Sequence, residues 1–582
     1  MGEAQPAGRL QTSAEPLVAR VAVDVPAIDR EFDYLVPEKL AGAVRVGTIV
    51  RVPLHGRRVR GWITALDIPV EPGLRLQPIA KITGWGPSRD VIDVGEWAAW
   101  RWAGRRTSFL RAASPERAIL GLPAAASRPV PASGVPQPLA DEALAGMNTV
   151  LRLPPGADRF PVIEAAVRRG PALLLSPSVD DAIHLAQRLR RMGQPVALMP
   201  HDWARAAAGG AAIVGARAAA FAPAPDITAV VVLDGHDDAY VEERAPTWNA
   251  VVVAAERARR AGIPCVVVTP TPTLELLQWG RLLTPSRTEE RAGWPPLIVI
   301  DRKGADPRSG LYSERLVPML REGRVVCVLN RKGRATLLAC GACFEVAACE
   351  HCGGSVAQDG DDGLACRRCG RVRPPVCLNC GASRMRQLRV GVTRAREELE
   401  ALAGVAVGEV TGDTGDVPDT PIIVGTEAVL HRVPAADSVV FLDFDQELLA
   451  PRYTALEHAM GLLARAGRLV GGRRRGGRVV VQTRLPDHEV IAAALHADPA
   501  LVTTPDAERR RALALPPYSA LAVVSGEAAE AFVGDVAGIE VRGPVDGMWQ
   551  LRADDHTALG NALAAVPRPP GRLRIEVDPR RV

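Results

Sequence analysis

CGACFEVAACEHCGGSVAQDGDDGLACRRCGRVRPPVCLNC, residues 340–380, holds eight of the ten cysteines in four Cys-x-x-Cys pairs: Cys340/Cys343, Cys349/Cys352, Cys366/Cys369 and Cys377/Cys380. Two thiolates three positions apart on a tight turn reach one metal at about 2.3 Å while nearby amides hydrogen-bond the sulfurs. Four pairs thus supply ligands for two closed tetrahedral zinc sites, and spacing alone allows three ways of combining them. Small residues suited to such turns accompany the pairs: Gly341, Ala342, Gly353, Gly354, Gly370 and Gly381. The rival reading, a disulfide scaffold or redox centre, lacks a secretory signal and a redox-domain pattern. With His351 the one histidine nearby, a catalytic zinc is disfavoured. Cys265 and Cys327 lie in apolar runs and read as buried thiols.

Outward from this module the pattern is of short apolar strands alternating with helical stretches. On its N-terminal side run Ala172–Leu175, Ala212–Gly215, Val230–Leu233 and Cys265–Val268, then Val325–Leu329; on its C-terminal side Ile422–Val424, Val439–Leu442 and Val479–Val481. Such alternation argues parallel α/β sheets. The expected fold is multidomain α/β: two lobes, at 148–300 and at 301–337 with 387–505, the cysteine module at 338–386 being inserted in the second. Residues 17–82 alternate apolar and polar positions between Gly/Pro turns, the mark of a β-rich N-terminal domain whose bounds are set at 17–112. Residues 1–16 are expected to be disordered, and 113–147, rich in Pro and Ala, to be a linker. Residues 506–582 close the chain as a small α+β domain ending in the strand Leu573–Val577.

With 582 residues, 47% of them apolar, the chain has material for several cores. A net charge of +5 says little by itself, but residues 51–111 carry 11 Lys/Arg against 5 Asp/Glu and residues 321–396 carry 14 against 6. These regions are candidate nucleic-acid surfaces, against the plainer reading of arginines scattered on solvated faces. No stretch approaches the roughly eighteen apolar residues of a membrane span, and no signal segment is seen, so the expected compartment is the cytoplasm and no membrane partner is expected.

Seven further strings occur in order along the chain: Arg30–Glu38 (REFDYLVPE), Gly215–Pro223 (GARAAAFAP), Thr271–Glu275 (TPTLE), Asn330–Gly333 (NRKG), Gly425-Thr426, Arg465–Arg468 (RAGR) and Leu515–Tyr518 (LPPY). With the four cysteine pairs they resemble the bacterial PriA replication-restart family of DExH superfamily 2 helicases, from about Val18 to Pro579. The resemblance implies two RecA-like helicase lobes and an N-terminal domain that holds the 3′ end of a nascent DNA strand. It also implies that the outer cysteine pairs share one zinc (Cys340, Cys343, Cys377, Cys380) and the inner pairs another (Cys349, Cys352, Cys366, Cys369). Phe32, Asp33 and Tyr34 match the segment that lines the DNA-end pocket, where a carboxylate accepts a terminal hydroxyl and an aromatic face stacks a base. Arg57, Arg58 and Arg60 on a hairpin, and Arg105 and Arg106 after a Trp-rich helix, are candidate DNA contacts; Arg367, Arg368, Arg371 and Arg373 suit contact with DNA or a protein partner. The implied partners are forked and single-stranded DNA, the replicative helicase or its loader, other primosome proteins and the single-stranded-DNA-binding protein.

The motor motifs depart from the family. A phosphate loop needs Gly-rich amides, a lysine and a hydroxyl; here Pro154-Pro155-Gly156-Ala157-Asp158-Arg159-Phe160 stands in its place. The acidic box is Asp234-Gly235-His236-Asp237, with His236 where a glutamate positions the attacking water; Glu427 and Gly461 replace two glutamines. Gly156, Asp234, Arg465 and Arg468 mark a degenerate nucleotide site, with the two arginines expected on DNA backbone or an internal carboxylate. The expectation is a fork-binding restart factor without appreciable ATPase or ATP-driven unwinding, with no catalytic residue and no tight ATP binding. The rivals are an active 3′–5′ helicase and a general zinc-dependent nucleic-acid binder. The winged-helix domain the family carries between its first two domains is expected to be missing or vestigial.

Overall fold

The computed structural model describes residues 17–580 apart from 27, 70–74, 128–136, 307–309, 330–337, 360–362, 367, 388–391 and 412–415. The expectations for residues 1–16, for Asn330–Gly333 and for Arg367 lie outside the described residues.

The N-terminal strands form an antiparallel sheet in the order Glu31–Leu35, Val18–Val23, Arg57–Leu66, Ile49–Leu54, Lys81–Gly84. Strict alternation sends Val21, Tyr34, Val50, Val52 and Ile63 into one core. The opposite face carries Ala22, Ile49 and Trp62, and the helices Arg89–Arg101 and Arg106–Ala113 cover part of it through Ile92 and Leu110.

The first lobe is a parallel sheet in the order Arg281–Leu283, Asn148–Arg152, Cys265–Thr269, Ala229–Leu233, Ala172–Leu175, Ala212–Gly215, Val196–Leu198. Its central strands are buried on both faces, which is why they read as unbroken apolar runs. The second sheet is also parallel, in the order Leu297–Asp301, Arg478–Thr483, Ser438–Phe441, Val325–Val328, Ile422–Gly425, Val407–Val410. The sequence boundary at 300 is therefore corrected: Leu297–Asp301 pairs with Arg478–Thr483 and is an edge of the second lobe. The linker reading of 113–147 is corrected likewise, because the helix Pro138–Ala145 buries Ala140, Ala143 and Leu144 in the core of the first lobe. It is the one helix among the described residues between Ala113 and Asn148.

The C-terminal sheet, in the order Glu540–Val545, Met548–Ala553, Ala520–Ser525, Arg574–Val577, is antiparallel. Its inner face shares one continuous core with the first lobe and the helix Arg89–Arg101. Trp100 donates to Asn561 Oδ1 at 3.1 Å and Arg101 pairs with Asp578 at 2.8 Å, tying the first hundred residues to the last thirty. Among the described residues no helix is long and apolar enough to cross a membrane.

Candidate metal centres, DNA-end face and interlobe cleft

Two small ribbons bring the cysteines together. Leu338–Cys340 pairs with Met385–Gln387 beside the outer cysteines, and Val356–Asp359, Gly363–Cys366 and Val372–Arg373 form a three-stranded ribbon at the inner ones. The ten cysteines are free of disulfides. The sulfurs fall into two groups, Cys340, Cys343, Cys377, Cys380 and Cys349, Cys352, Cys366, Cys369, each within 4.8 Å. Separations of 3.6 Å for Cys340–Cys380 and Cys343–Cys377, 3.7 Å for Cys349–Cys369 and 3.5 Å for Cys352–Cys366 are close to the edge of about 3.8 Å of a tetrahedron with metal–sulfur bonds of about 2.3 Å. Each all-thiolate group could hold a metal ion.

The turns share one device. The residue after the second cysteine of each pair is left-handed, with φ of 65° at Phe344, 67° at Gly353, 72° at Gly370 and 76° at Gly381. Its amide returns to the carbonyl of the first cysteine at 2.8–3.1 Å. Phe344 holds a conformation that glycine adopts more cheaply. Arg368 is not a free surface cation: its guanidinium donates to Cys352 O at 2.8 Å and Ala450 O at 3.1 Å, docking the module on the second lobe. Arg373 donates to Val376 O at 2.5 Å, and Arg371 is exposed.

On the N-terminal sheet, successive residues of the edge strand Glu31–Leu35 point to opposite faces. Tyr34 is buried and donates to Pro53 O at 3.0 Å, which corrects its place among the base-stacking candidates: it is core. Phe32 packs partly against the same core, with the Arg30 guanidinium 4.8 Å from its ring centre. Asp33 faces the other way, and both its oxygens accept from Arg20, at 2.8 and 3.0 Å, across the ladder. Arg57 and Arg58 are exposed beside the hairpin turn His55-Gly56, while Arg60 lies 5.0 Å over the Trp62 ring. Arg105 is half-buried at the start of the next helix. Arg106 bridges Glu31 at 2.7 Å and Glu96 at 3.3 Å and is 18% exposed, so it buttresses the helix against the sheet instead of presenting a free charge.

Between the lobes the backbone of Gly156, in the phosphate-loop segment, is closely packed. Gly156 donates to Gly293 O at 2.8 Å, and a Cβ there would lie 2.5 Å from Gly472 N. Asp234 is buried between Arg159 of the first lobe and Arg468 of the second, the latter at 2.5 Å. Burial opposes its charge, but these two guanidiniums override it and hold the carboxyl well below the usual carboxylate range. Arg465 pairs with Asp237, and its Nη1 lies 2.6 Å from His431 Nδ1. Burial pushes His236 down to about 3 against the pull of Asp234; its Nδ1 meets Thr269 Oγ1 at 2.9 Å, and a Cβ on Gly461 would stand 2.9 Å from its ring.

A neutral His236 offers no carboxylate to orient a water, and both oxygens of Asp234 are taken by arginines. These residues do not fit a metal–nucleotide complex. Two cavities lie along this seam, one of about 550 Å³ walled by Gly156, Asp158 and Arg159 of the phosphate-loop segment with Arg188, Arg474 and Arg475, the other of about 470 Å³ lined by His236, Glu427, His431 and His458.

Two further cross-lobe groups carry no signal in the sequence. His458 Nδ1 meets Asp238 at 3.1 Å and its Nε2 meets Glu427 at 3.3 Å; burial and Arg452 oppose its charge, yet the carboxylates push it up to about 9. Arg510, 1% exposed, joins Glu457 of the second lobe at 2.6 Å, Glu275 of the first at 3.3 Å and Asp506 of its own helix at 2.8 Å.

Comparison with known proteins agrees with this architecture. Residues 20–115 match the family described as 3'DNA-binding domain (3'BD) of PriA. Over 570 residues the chain is 30% identical to the probable replication restart protein PriA of Mycobacterium tuberculosis, covering 87% of this chain and 86% of that one. The Mycobacterium leprae counterpart is 29% identical, covering 94% and 95%, and the replication restart protein PriA of Thermotoga maritima 27% identical, covering 66% and 59%. A relative at this identity, aligned from the end-binding domain through both lobes, places the chain in the PriA replication restart family.

Proposed function

We propose that this protein is a restart factor that recognises abandoned replication forks by the 3′ end of the nascent strand and promotes reloading of the replicative helicase without hydrolysing ATP. One observation carries the reading: in a restart-family chain with its end-binding domain, both oxygens of Asp234 are engaged by the chain's own Arg159 and Arg468 and not left to a metal. Phosphoryl transfer is driven by positioning and charge stabilisation, and without a phosphate-cradling loop, a lysine and a water-orienting carboxylate its largest contributions are gone.

At the DNA end, a 3′-hydroxyl donates to a remaining lone pair of Asp33, whose other positions Arg20 fills, at the open edge of the sheet. Phe32 supplies an aromatic face at the same edge, and Arg57, Arg58 and Arg60 the positive potential. The two cysteine groups hold zinc, which fixes the module against the second lobe. The module, with Arg371 exposed, offers a surface for the helicase or its loader, for primosome proteins or for the single-stranded-DNA-binding protein. The protein works in the cytoplasm, at the nucleoid.

Competition binding of forks with and without a free 3′-hydroxyl, followed by ATPase measurement on the same sample, tests the reading. The expected result is a preference for the hydroxyl-bearing fork and DNA-stimulated turnover below that of ordinary motors, about 1 s⁻¹ or more. Turnover at motor rates would establish an active helicase instead, and equal binding of both forks a general nucleic-acid binder.

A further inference from the structure

The N-terminal sheet contains an arrangement that folding alone disfavours. In the antiparallel register, Arg51 stands directly opposite Arg60 on one neighbouring strand and opposite Lys81 on the other. Residues opposed in this way share a sheet face with their Cβ atoms about 5 Å apart, and like charges so placed repel. The row Lys81–Arg51–Arg60 spans two inter-strand gaps, roughly 10 Å. Arg58, two residues before Arg60, shares the face, and its carbonyl accepts from Arg51 Nη1 at 3.5 Å. Arg51, Arg58 and Lys81 are exposed.

Asp24, the carboxylate that acts on Arg60, is already committed. Asp24 donates its amide to Arg60 O at 2.7 Å, while its side chain is held by Arg111 at 2.6 Å. Arg60 loses proton affinity through burial first, and Arg51 and Arg111 lower it further against the pull of Asp24. The indole of Trp62 floors the row at the point where the helices stop covering the sheet. Three cations in register, none of them in an ion pair with a carboxylate among the described residues, describe a surface completed by an external polyanion.

We propose that Lys81, Arg51 and Arg60 form a phosphate ladder that grips the DNA backbone leading to the bound 3′ end, with Arg58 extending it toward the hairpin tip. The ladder rests on the end-binding reading only for which strand it holds; its affinity for phosphodiester backbone does not. It differs from the end pocket in chemistry, since it contacts backbone charge and is blind to the terminal group.

The test compares R51Q/R60Q/K81Q with the unaltered protein, full length, on a synthetic fork across a salt series. Each lost phosphate contact reduces the slope of log K against log salt by about 0.7 to 0.9, so a fall of about 2 to 3 is expected. In R51Q/K81Q, which keeps Arg60, the affinity ratio for 3′-hydroxyl over 3′-phosphate ends stays unchanged, and R51K/R60K keeps the slope. The melting temperature of the triple variant holds or rises because repulsion in the row is removed. An unchanged slope, or a melting temperature lowered together with an unchanged slope, overturns the ladder. If the unaltered protein ignores the 3′-hydroxyl while the triple variant still loses slope, the restart reading falls and the ladder stands.

Discussion

Asp234 is the counter-ion shared by Arg159 and Arg468 across the seam between the lobes. Asp234→Asn leaves two largely buried guanidiniums without a partner, and a loss of about 3 kcal/mol is expected, read as a lower urea midpoint or melting temperature. His458 gives a second test at this scale. Its pKa rises from an unfolded value near 6.5 to about 9 in the folded protein. The stability it contributes is therefore complete below pH 6.5 and is lost as pH climbs through 9, an effect of about 3 kcal/mol at most. Melting temperatures measured from pH 6 to 10 should fall more steeply for the unaltered protein than for His458→Gln, whose curve starts lower and runs flatter.

The elements divide into those the sequence declared and those it did not. Central strands such as Val230–Val231–Val232–Leu233 are legible because burial on both faces leaves nothing but apolar residues. Leu297–Asp301 was not assignable from sequence, since an edge strand of a parallel sheet reads the same in either lobe and only its pairing with Arg478–Thr483 decides. The cysteine turns announced a metal module, yet spacing leaves three pairings open, and the folding of two separate ribbons selects one grouping. On that grouping, Cys366→Ser should remove one zinc, counted by native mass spectrometry, and leave the ion of Cys340, Cys343, Cys377 and Cys380 in place; Cys377→Ser should do the converse. Loss of the other ion in either variant would refute the partition. The role of Arg368 was beyond sequence reasoning altogether, because its acceptors at Cys352 and Ala450 lie far apart along the chain. Asp33 and Phe32 illustrate the opposite case: their separation onto two faces follows from the two-residue period of any strand, and only the family likeness suggested one shared pocket wall.

Across the whole molecule the lobes are joined by groups of their own. Arg510 ties Glu275 to Glu457, Arg287 donates to His496 O at 2.6 Å, and Arg473 donates to Arg291 O at 3.1 Å. A nucleotide bound in the cleft would stabilise the folded form by RT ln(1 + [L]/Kd). Millimolar magnesium–ATP should therefore shift the melting temperature of this protein by less than about 1 °C, whereas fork DNA at saturating concentration raises it; a nucleotide shift of several degrees would contradict the proposal that the protein works without ATP. The core that runs unbroken from the C-terminal sheet through the first lobe to the helix Arg89–Arg101 has a mechanical corollary. The N-terminal sheet, seated on that helix through Ile92, is held at a set angle to the first lobe, so on the proposed function the protein would serve as a jig that offers a bound junction in one geometry.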